Sequence, residues 1–323
     1  MKAFDYAIAE NVAGALEAMS RGYKLKAGGI DLLDLLKERT ADGSKHDSLV
    51  SIHQLKDLRG IRMDKDAIVI SPMTTLNEMG ADPILKRSFP GLAQAAGEAA
   101  TPQIRAVATA GGNLCQRPRC WYFRSSDFNC LKKGGSTCYA LEGENQYHAL
   151  FGGGPCHIVH PSNIAPPLVA AGAEFVVRNK KESRTIKAQD FFVLPASSLN
   201  KENVLDDGDL IVEIRVPKPP EKSAFVEFRE KQSFDWPLAA CAAVLLDGKW
   251  NVVLGGVAPI PWRAKKSEEA LAGARSIDKS IAERAADAAL DQVQPMSQNA
   301  WRKALVRAAV RRALLLAEGK EID

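Results

Sequence analysis

A chain of 323 residues, 46% hydrophobic and 25% charged, has the composition of a globular protein long enough for two domains or one multi-lobed unit. Its net charge of +4, with lysines and arginines interleaved among acids, lacks the clustered basic stripe of a nucleic-acid binder. No apolar run approaches the roughly 18 residues of a membrane span, and Met1–Glu10 carries Asp5 and Glu10 where a secretory signal would be basic and then apolar, so a cytoplasmic protein is expected, exported only with a partner.

In chain order, apolar spacing predicts a helix over 11–20, with Val12, Ala15, Leu16 and Met19 on one face, then a short strand over 23–27. A second helix is predicted over 30–39 with Leu32, Leu33, Leu35 and Leu36 inward, followed by strands at 49–52 and 67–71. Another helix starts at Thr75 with Thr74 as its N-cap, and a small-residue helix over 93–100 closes at Thr101-Pro102. From Gly111 to Pro167 no periodicity persists, which in a compact protein marks a functional or ligand-holding segment. Patterning resumes with a strand at 174–178, a helical turn at 187–192 and a strand at 210–216, before the linker Pro217-Lys218-Pro219-Pro220. Beyond it, 224–230 and 250–257 read as strands, and 238–246 as either a strand or a buried helix. Helices over 280–293 and 298–318 follow, the latter with Trp301, Leu305, Ala309 and Ala313 on one face. The class is α+β.

Two glycine pairs carry chemistry. Lys26-Ala27-Gly28-Gly29-Ile30 joins a strand to a helix, where backbone N–H groups face outward and a phosphate can approach closely. Such a pair is by itself commonly only a turn, and it is not the G-x-G-x-x-G fingerprint of a nicotinamide-dinucleotide site. The second pair, Thr109-Ala110-Gly111-Gly112-Asn113, adds a hydroxyl and an amide. Two such cradles suit a dinucleotide clasped between two lobes.

In this order the two turns are similar to those of the FAD domain of the xanthine dehydrogenase and carbon monoxide dehydrogenase family. Thr74-Thr75-Leu76 and Pro161-Ser162-Asn163-Ile164-Ala165-Pro166 resemble two further motifs of that family. Phe234-Asp235-Trp236-Pro237-Leu238 and Leu254-Gly255-Gly256-Val257-Ala258 look like its C-terminal domain, so the resemblance covers essentially the whole chain. It implies an α+β architecture: a two-lobed FAD-binding domain of the PCMH/vanillyl-alcohol-oxidase type, plus a C-terminal α+β domain of the CO dehydrogenase flavoprotein type. The expected boundaries are 1–55 for the first lobe, 56–220 for the second and 221–323 for the C-terminal domain.

The resemblance further implies that Lys24, Leu25, Lys26, Ala27, Gly28, Gly29, Ile30, Asp31 and Leu32 hold the FAD diphosphate. Thr109, Gly112 and Asn113 would close on it, Ala100 and Asn163 would complete the cofactor set, and Ile211 would pack on the flavin ring. Two positions depart from the family pattern. Asn163 stands for the usual aspartate and Glu227 for a frequent lysine, so Arg229 or Lys231 is expected to supply the positive charge.

Five of the six cysteines fall between Cys115 and Cys156, which points to a local site. Cys120, Cys130, Cys138 and Cys156 lie in an insert, 116–159, and form no closely spaced pair such as structural zinc sites use. Thiolates suit iron–sulfur clusters and zinc alike. The insert resembles the cluster-bearing loop of the 4-hydroxybenzoyl-CoA reductase flavin subunit and certain bacterial aldehyde oxidoreductases, which implies that these four cysteines hold a [4Fe–4S] cluster. Inert thiols or disulfides are the bland readings; His148 and His157 read as ligands or as polar loop residues, and Trp121, Tyr122 and Phe123 as packing.

No nucleophile–base constellation appears. The resemblance implies an electron-transfer subunit working with a large molybdenum-cofactor subunit and a small [2Fe–2S] subunit, as a heterotrimer or a dimer of heterotrimers, oxidising an aldehyde or aromatic substrate and passing electrons to an external acceptor. A free-standing flavin oxidase and a zinc-stabilised scaffold are the rival readings.

Overall fold

The computed structural model describes residues 3–38, 40, 47–231, 234–274 and 276–322. Three sheets organise them. The first is parallel, with β1 (Asp5–Ile8), β2 (Lys24–Lys26) and β3 (Ser48–Ser51) in the order β1-β3-β2. Parallel neighbours need crossovers, and the helices Val12–Ser20 and Ile30–Lys37 lie in those connections. Asn11 starts the first of them by accepting the Gly14 N–H. Ala15 and Leu16 then pack with Val50, Ile52 and Leu55 into a small core.

The second sheet is antiparallel throughout: β4 (Ile61–Asp64), β5 (Ala67–Ile70), β6 (Glu174–Arg178), β7 (Ser183–Lys187) and β8 (Leu210–Val216), in the order β4-β5-β8-β6-β7. Central β8 ties residues far apart in the chain, pairing Ile70 with Ile214 on one side and Phe175 with Ile214 on the other. The third sheet, order β12-β11-β10-β9, contains β9 (Lys222–Phe228), β10 (Ala239–Leu246), β11 (Lys249–Gly255) and β12 (Trp262–Arg263).

Helices Leu76–Ala81, Pro90–Glu98 and Ala165–Ala170 share the main core with both larger sheets. From β10, Ala240, Ala242 and Val244 point into that core, whereas Ala239, Cys241 and Ala243 face the helices Lys279–Ala288 and Arg302–Ala317. Burial on both faces makes the strand uniformly apolar, which is why 238–246 has no readable period. It is a strand, not a helix.

Several expectations shift. Thr75, not Thr74, caps the helix Leu76–Ala81, with a full capping box to Glu78. Thr74 instead exchanges hydrogen bonds with the Gly60 backbone (2.9 and 3.0 Å). The small-residue helix begins at Pro90 and ends at Glu98, so Ala100 lies beyond it with φ 45°. Trp301 sits at the start of the last helix and is 48% exposed, although Ala309 and Ala313 on the expected face are buried. Strands β1, β4, β7 and β12 had no predicted counterpart, and the expected helix end at Arg39 lies outside the described residues. Among the described residues of 111–167 there are short helical turns but no strand. No described helix is long and apolar enough to cross a membrane.

Candidate functional site

The two glycine turns meet. Gly29, in a left-handed conformation (φ 82°), is the N-cap of the helix Ile30–Lys37 and offers no side-chain cap, so the first-turn N–H groups keep no capping partner. Gly28 packs directly on the backbone before the second turn: a Cβ there would overlap the Val107 carbonyl oxygen and lie 2.9 Å from the carbonyl carbon. The second turn is itself fixed by the Thr74–Leu76 segment, through Leu76 N–H to Ala108 O (2.9 Å) and Ala110 N–H to Thr74 O (2.8 Å). Thr109 Oγ1 accepts the Gly112 N–H (3.2 Å), and Asn113 Oδ1 accepts from Ser162 Oγ (2.6 Å). Three segments far apart in sequence thus converge on one edge. A cofactor diphosphate fits this edge, since glycines let the backbone approach and Gly112 is exposed.

Not every residue of the first turn shares this role. Leu25 and Ala27 pack in the first-lobe core, Leu32 is half-buried, Ile30 is 37% exposed and Lys24 lies near Asp207 at the surface (3.9 Å). Lys26 Nζ turns back to the Ala27 carbonyl (3.4 Å). Asp31 is drawn into the insert: its carboxylate accepts the Arg117 N–H (2.8 Å) and pairs with Arg119 (2.9 Å) and Arg124 (2.6 Å). Tied to three arginine-bearing positions, this carboxylate braces the loop. Ala100 serves through its backbone, its carbonyl accepting from Arg105 Nη1 (2.6 Å).

Beside Asn163 opens a cavity of about 270 Å³, between the insert and the third sheet. Its wall is mostly apolar, with Trp121, Pro166, Phe225, Trp236 and Leu238, and it carries Arg119, Tyr147, His148, His160, Asn163 and Arg302 as polar groups. Asn163 Nδ2 donates to Glu227 Oε2 (3.0 Å), and Glu227 pairs with Arg229. The two departures from the family pattern are therefore partners: with a carboxylate at 227, an amide at 163 donates where an aspartate would repel. Arg229 is consumed by Glu227 and by the Glu98 carbonyl, burial holds its guanidinium below the usual range, and it does not line the cavity. Lys231 is exposed and outside the cavity wall. The cations at the cavity are instead Arg119, stacked over Trp236 at 4.8 Å, and Arg302. Ile211, expected against the flavin ring, is 4% exposed in the main core and is not part of this wall. Its strand is the centre of the second sheet, and its side chain belongs to the main core.

Arg302 was invisible to sequence reading. It is 1% exposed and donates to the carbonyls of Leu238 (2.9 Å), His148 (2.7 Å) and Gly256 (2.5 Å). Burial lowers its guanidinium to about 10. Nothing in the sequence separates it from Arg307 or Arg311 on the same helix.

The insert forms a small core of its own, in which Leu35 of the helix Ile30–Lys37 joins Tyr122, Phe123, Cys130 and Ala140. Lys132, 4% exposed, fastens it to the segment before β8 through the Leu199 carbonyl (2.6 Å) and Glu202 (2.5 Å). Asn145 fastens it to the segment before the last helix, exchanging hydrogen bonds with Gln298 and donating to Ser297. Inside, Cys120, Cys130, Cys138 and Cys156 all line one small cavity with Tyr122, Phe123, Leu131 and Ile158. Backbone N–H groups point at the sulfurs: those of Tyr122 and Phe123 at Cys120, of Ala140 and His157 at Cys138, of Ile158 at Cys156. The Cys156 thiol donates a hydrogen bond to the Cys138 sulfur, which lowers Cys138 and raises Cys156. Burial raises Cys120 to about 12. Among the described residues no three His, Cys, Asp or Glu side chains converge to hold a single metal ion; the thiols surround a space instead. Four thiols lining one cavity, with amides aimed at sulfur, are a donor set whose chemistry suits an iron–sulfur cluster. Cys115 and Cys241 lie in other cores, where burial raises both thiols, Cys115 to about 12.

Comparison with known proteins follows the same lines. Residues 2–219 match the model of the FAD binding domain in molybdopterin dehydrogenase, and residues 224–317 match the CO dehydrogenase flavoprotein C-terminal domain. The chain is 31% identical over 335 residues to the aldehyde oxidoreductase FAD-binding subunit PaoB of Escherichia coli (strain K12), covering 99% of each. It is 28% identical over 302 residues to the carbon monoxide dehydrogenase medium chain of Hydrogenophaga pseudoflava, covering 90% of this chain and 88% of that one. A solved structure of carbon monoxide dehydrogenase from the same organism superposes with a TM-score of 0.73 at 26% identity, over 98% of both chains.

Proposed function

Because the chain belongs to the family of FAD-binding subunits of molybdopterin-dependent dehydrogenases, we propose that it is the electron-transfer subunit of a complex in which a molybdenum-bearing large subunit oxidises an aldehyde or aromatic compound. A small [2Fe–2S] subunit would connect the two, and an external acceptor would take the electrons. The relatives' own descriptions, as a FAD-binding subunit of an aldehyde oxidoreductase and a medium chain, support a place in such an assembly. When bound, FAD supplies the exchange between paired and single electrons, and a [4Fe–4S] cluster in the insert supplies one-electron storage.

The residues of this chain position and shield. Gly28, Gly29 and the Thr109–Asn113 turn would hold the diphosphate, and Asn163 would meet the flavin at the cavity of about 270 Å³. Arg302 keeps the cavity floor rigid by binding three carbonyls at once. Cys120, Cys130, Cys138 and Cys156 would hold the cluster, and Arg119, Arg124 and Lys132 lock its loop to both lobes. The division into 1–55, 56–220 and 221–323 is part of the same reading, supported by one sheet in each segment.

The observation that carries the reading beyond flavin binding is the convergence of four thiols on one cavity in a loop anchored to both lobes. The test is to purify the chain with whatever subunits accompany it, then record the visible spectrum and assay flavin, iron, zinc and molybdenum. Flavin and iron on this chain with molybdenum on a partner are expected. A colourless zinc protein, or a flavoprotein fully active alone, would favour the scaffold or the oxidase.

A further inference from the structure

Cys120 is the thiol that lines both cavities, the small one among the cysteines and the larger one beside Asn163. His148 also lines the larger cavity, and its Nε2 lies 3.2 Å from the Cys120 sulfur. We propose that His148 is a positioning residue of the electron path: it donates its Nε2 proton to the Cys120 sulfur and so raises the reduction potential of the cluster bound there. This rests on the reading that the insert holds a [4Fe–4S] cluster.

The direction of the hydrogen bond follows from chemistry. A cysteine that ligates iron does so as a thiolate and has no proton to give, so the proton at this contact must come from the imidazole. Nε2 is the ring nitrogen that faces the sulfur, and a neutral imidazole has a single N–H to give. Among the described residues Nδ1 finds no partner, which leaves the sulfur as the ring's one hydrogen-bonding contact there.

The ring has little freedom to leave. The His148 carbonyl is held by Arg302 (2.7 Å) and Asn299 (3.1 Å), and its N–H by the Asn145 carbonyl (3.0 Å). Trp121 and Tyr122 flank the ring at 5.5 and 6.0 Å. Through Arg302 the same backbone is joined to Leu238 and Gly256 on the opposite wall of the larger cavity. One residue thus touches the cluster's sulfur and the flavin-side cavity together. A hydrogen bond to a ligand sulfur favours the more negative, reduced cluster, and its loss lowers the potential.

The test uses the purified complex with His148→Phe, which keeps a flat ring between Trp121 and Tyr122 but has no donor, and with His148→Gln, which restores an N–H. Iron and flavin are assayed per chain, and the cluster is titrated potentiometrically by electron paramagnetic resonance. The expected result is full iron and flavin in His148→Phe, with the reduction equilibrium constant down about tenfold, equivalent to about 59 mV for one electron, and recovery of most of that shift in His148→Gln. An unchanged potential in iron-replete His148→Phe overturns the proposal. So does loss of iron from both variants alike, which would make His148 a structural brace. A wild-type chain that binds flavin but no iron sinks the cluster reading itself, an outcome distinct from either.

Discussion

Gly28 and Val107 touch backbone to backbone: a Cβ at position 28 would sit 2.9 Å from the Val107 carbonyl carbon, inside the reach of its oxygen. The contact closes the first glycine turn onto the second, and the obstacle is main chain that cannot rotate away. Gly28→Ala should therefore part the two turns, at about 1–3 kcal/mol of overpacking, and lower flavin retained per chain on gel filtration. Gly14→Ala, where the built Cβ meets only the Asn11 side chain at 3.5 Å, should retain flavin fully. Equal retention in both would contradict the closed-turn geometry.

The Asn163–Glu227–Arg229 chain predicts a pH signature. Asn163→Asp places a second carboxyl against Glu227, whose side chain is 2% exposed. The introduced carboxyl should have its folded pKa raised above its unfolded value, so the variant is relatively most stable at low pH and loses stability as pH rises. Denaturant unfolding at pH 5 and pH 8 should show the deficit growing with pH. A uniform deficit would mean that the carboxylates do not meet. Glu227→Lys, which leaves Arg229 buried beside a second cation, should cost about 3–5 kcal/mol.

His160 gives the opposite sign. It is 3% exposed, and burial lowers its ring to about 3 from an unfolded value of about 6.5. Between those values the unfolded chain binds a proton that the folded chain refuses. Stability is thus complete above about pH 6.5 and falls as pH drops toward 3, with a slope from this residue of up to about 1.4 kcal/mol per pH unit. His160→Phe should flatten that slope between pH 6.5 and 4.5 in denaturant titrations. An unaltered slope would assign the acid sensitivity elsewhere.

Cysteine substitutions should divide into two classes. Serine at Cys120, Cys130, Cys138 or Cys156 should reduce the iron content while flavin remains, since the four thiols share one cavity apart from the glycine turns. Serine at Cys115 or Cys241 should leave iron unchanged, because these thiols pack in other cores. Iron loss in the second class would place the metal elsewhere.

Arg302→Met removes the donors to three buried carbonyls. The His148 carbonyl keeps Asn299 as a donor, so at about 1–3 kcal/mol for each of the two groups left unsatisfied, thermal unfolding should register a loss of at least about 2 kcal/mol. Flavin and iron should fall together, because one side chain ties the insert to the third sheet. Loss of stability with both cofactors retained would limit Arg302 to a packing role.

The sequence by itself determined the class of the chain and most of its elements. Helical spacing found the helices around Val12–Ser20 and Ile30–Lys37, and alternation found β6 and β8, because these elements are apolar on one face and polar on the other. Glycine spacing located the two turns that meet at the candidate site, since the backbone conformations they need restrict residue type locally. Cysteine clustering located the thiol loop for a similar reason: four thiols within one insert have few other uses.

Only the tertiary structure decided which of these residues face each other. Asp31 reads as part of a phosphate turn, yet it is claimed by Arg119 and Arg124 from ninety residues away or thereabouts. Arg302 looks like any surface arginine until three carbonyls from distant segments surround it. The Asn163–Glu227 pair reads as two separate departures until their side chains meet at 3.0 Å. Local patterns record what each residue needs from its own backbone and from water, whereas charge pairing and cavity walls depend on which distant segments the packed sheets bring together.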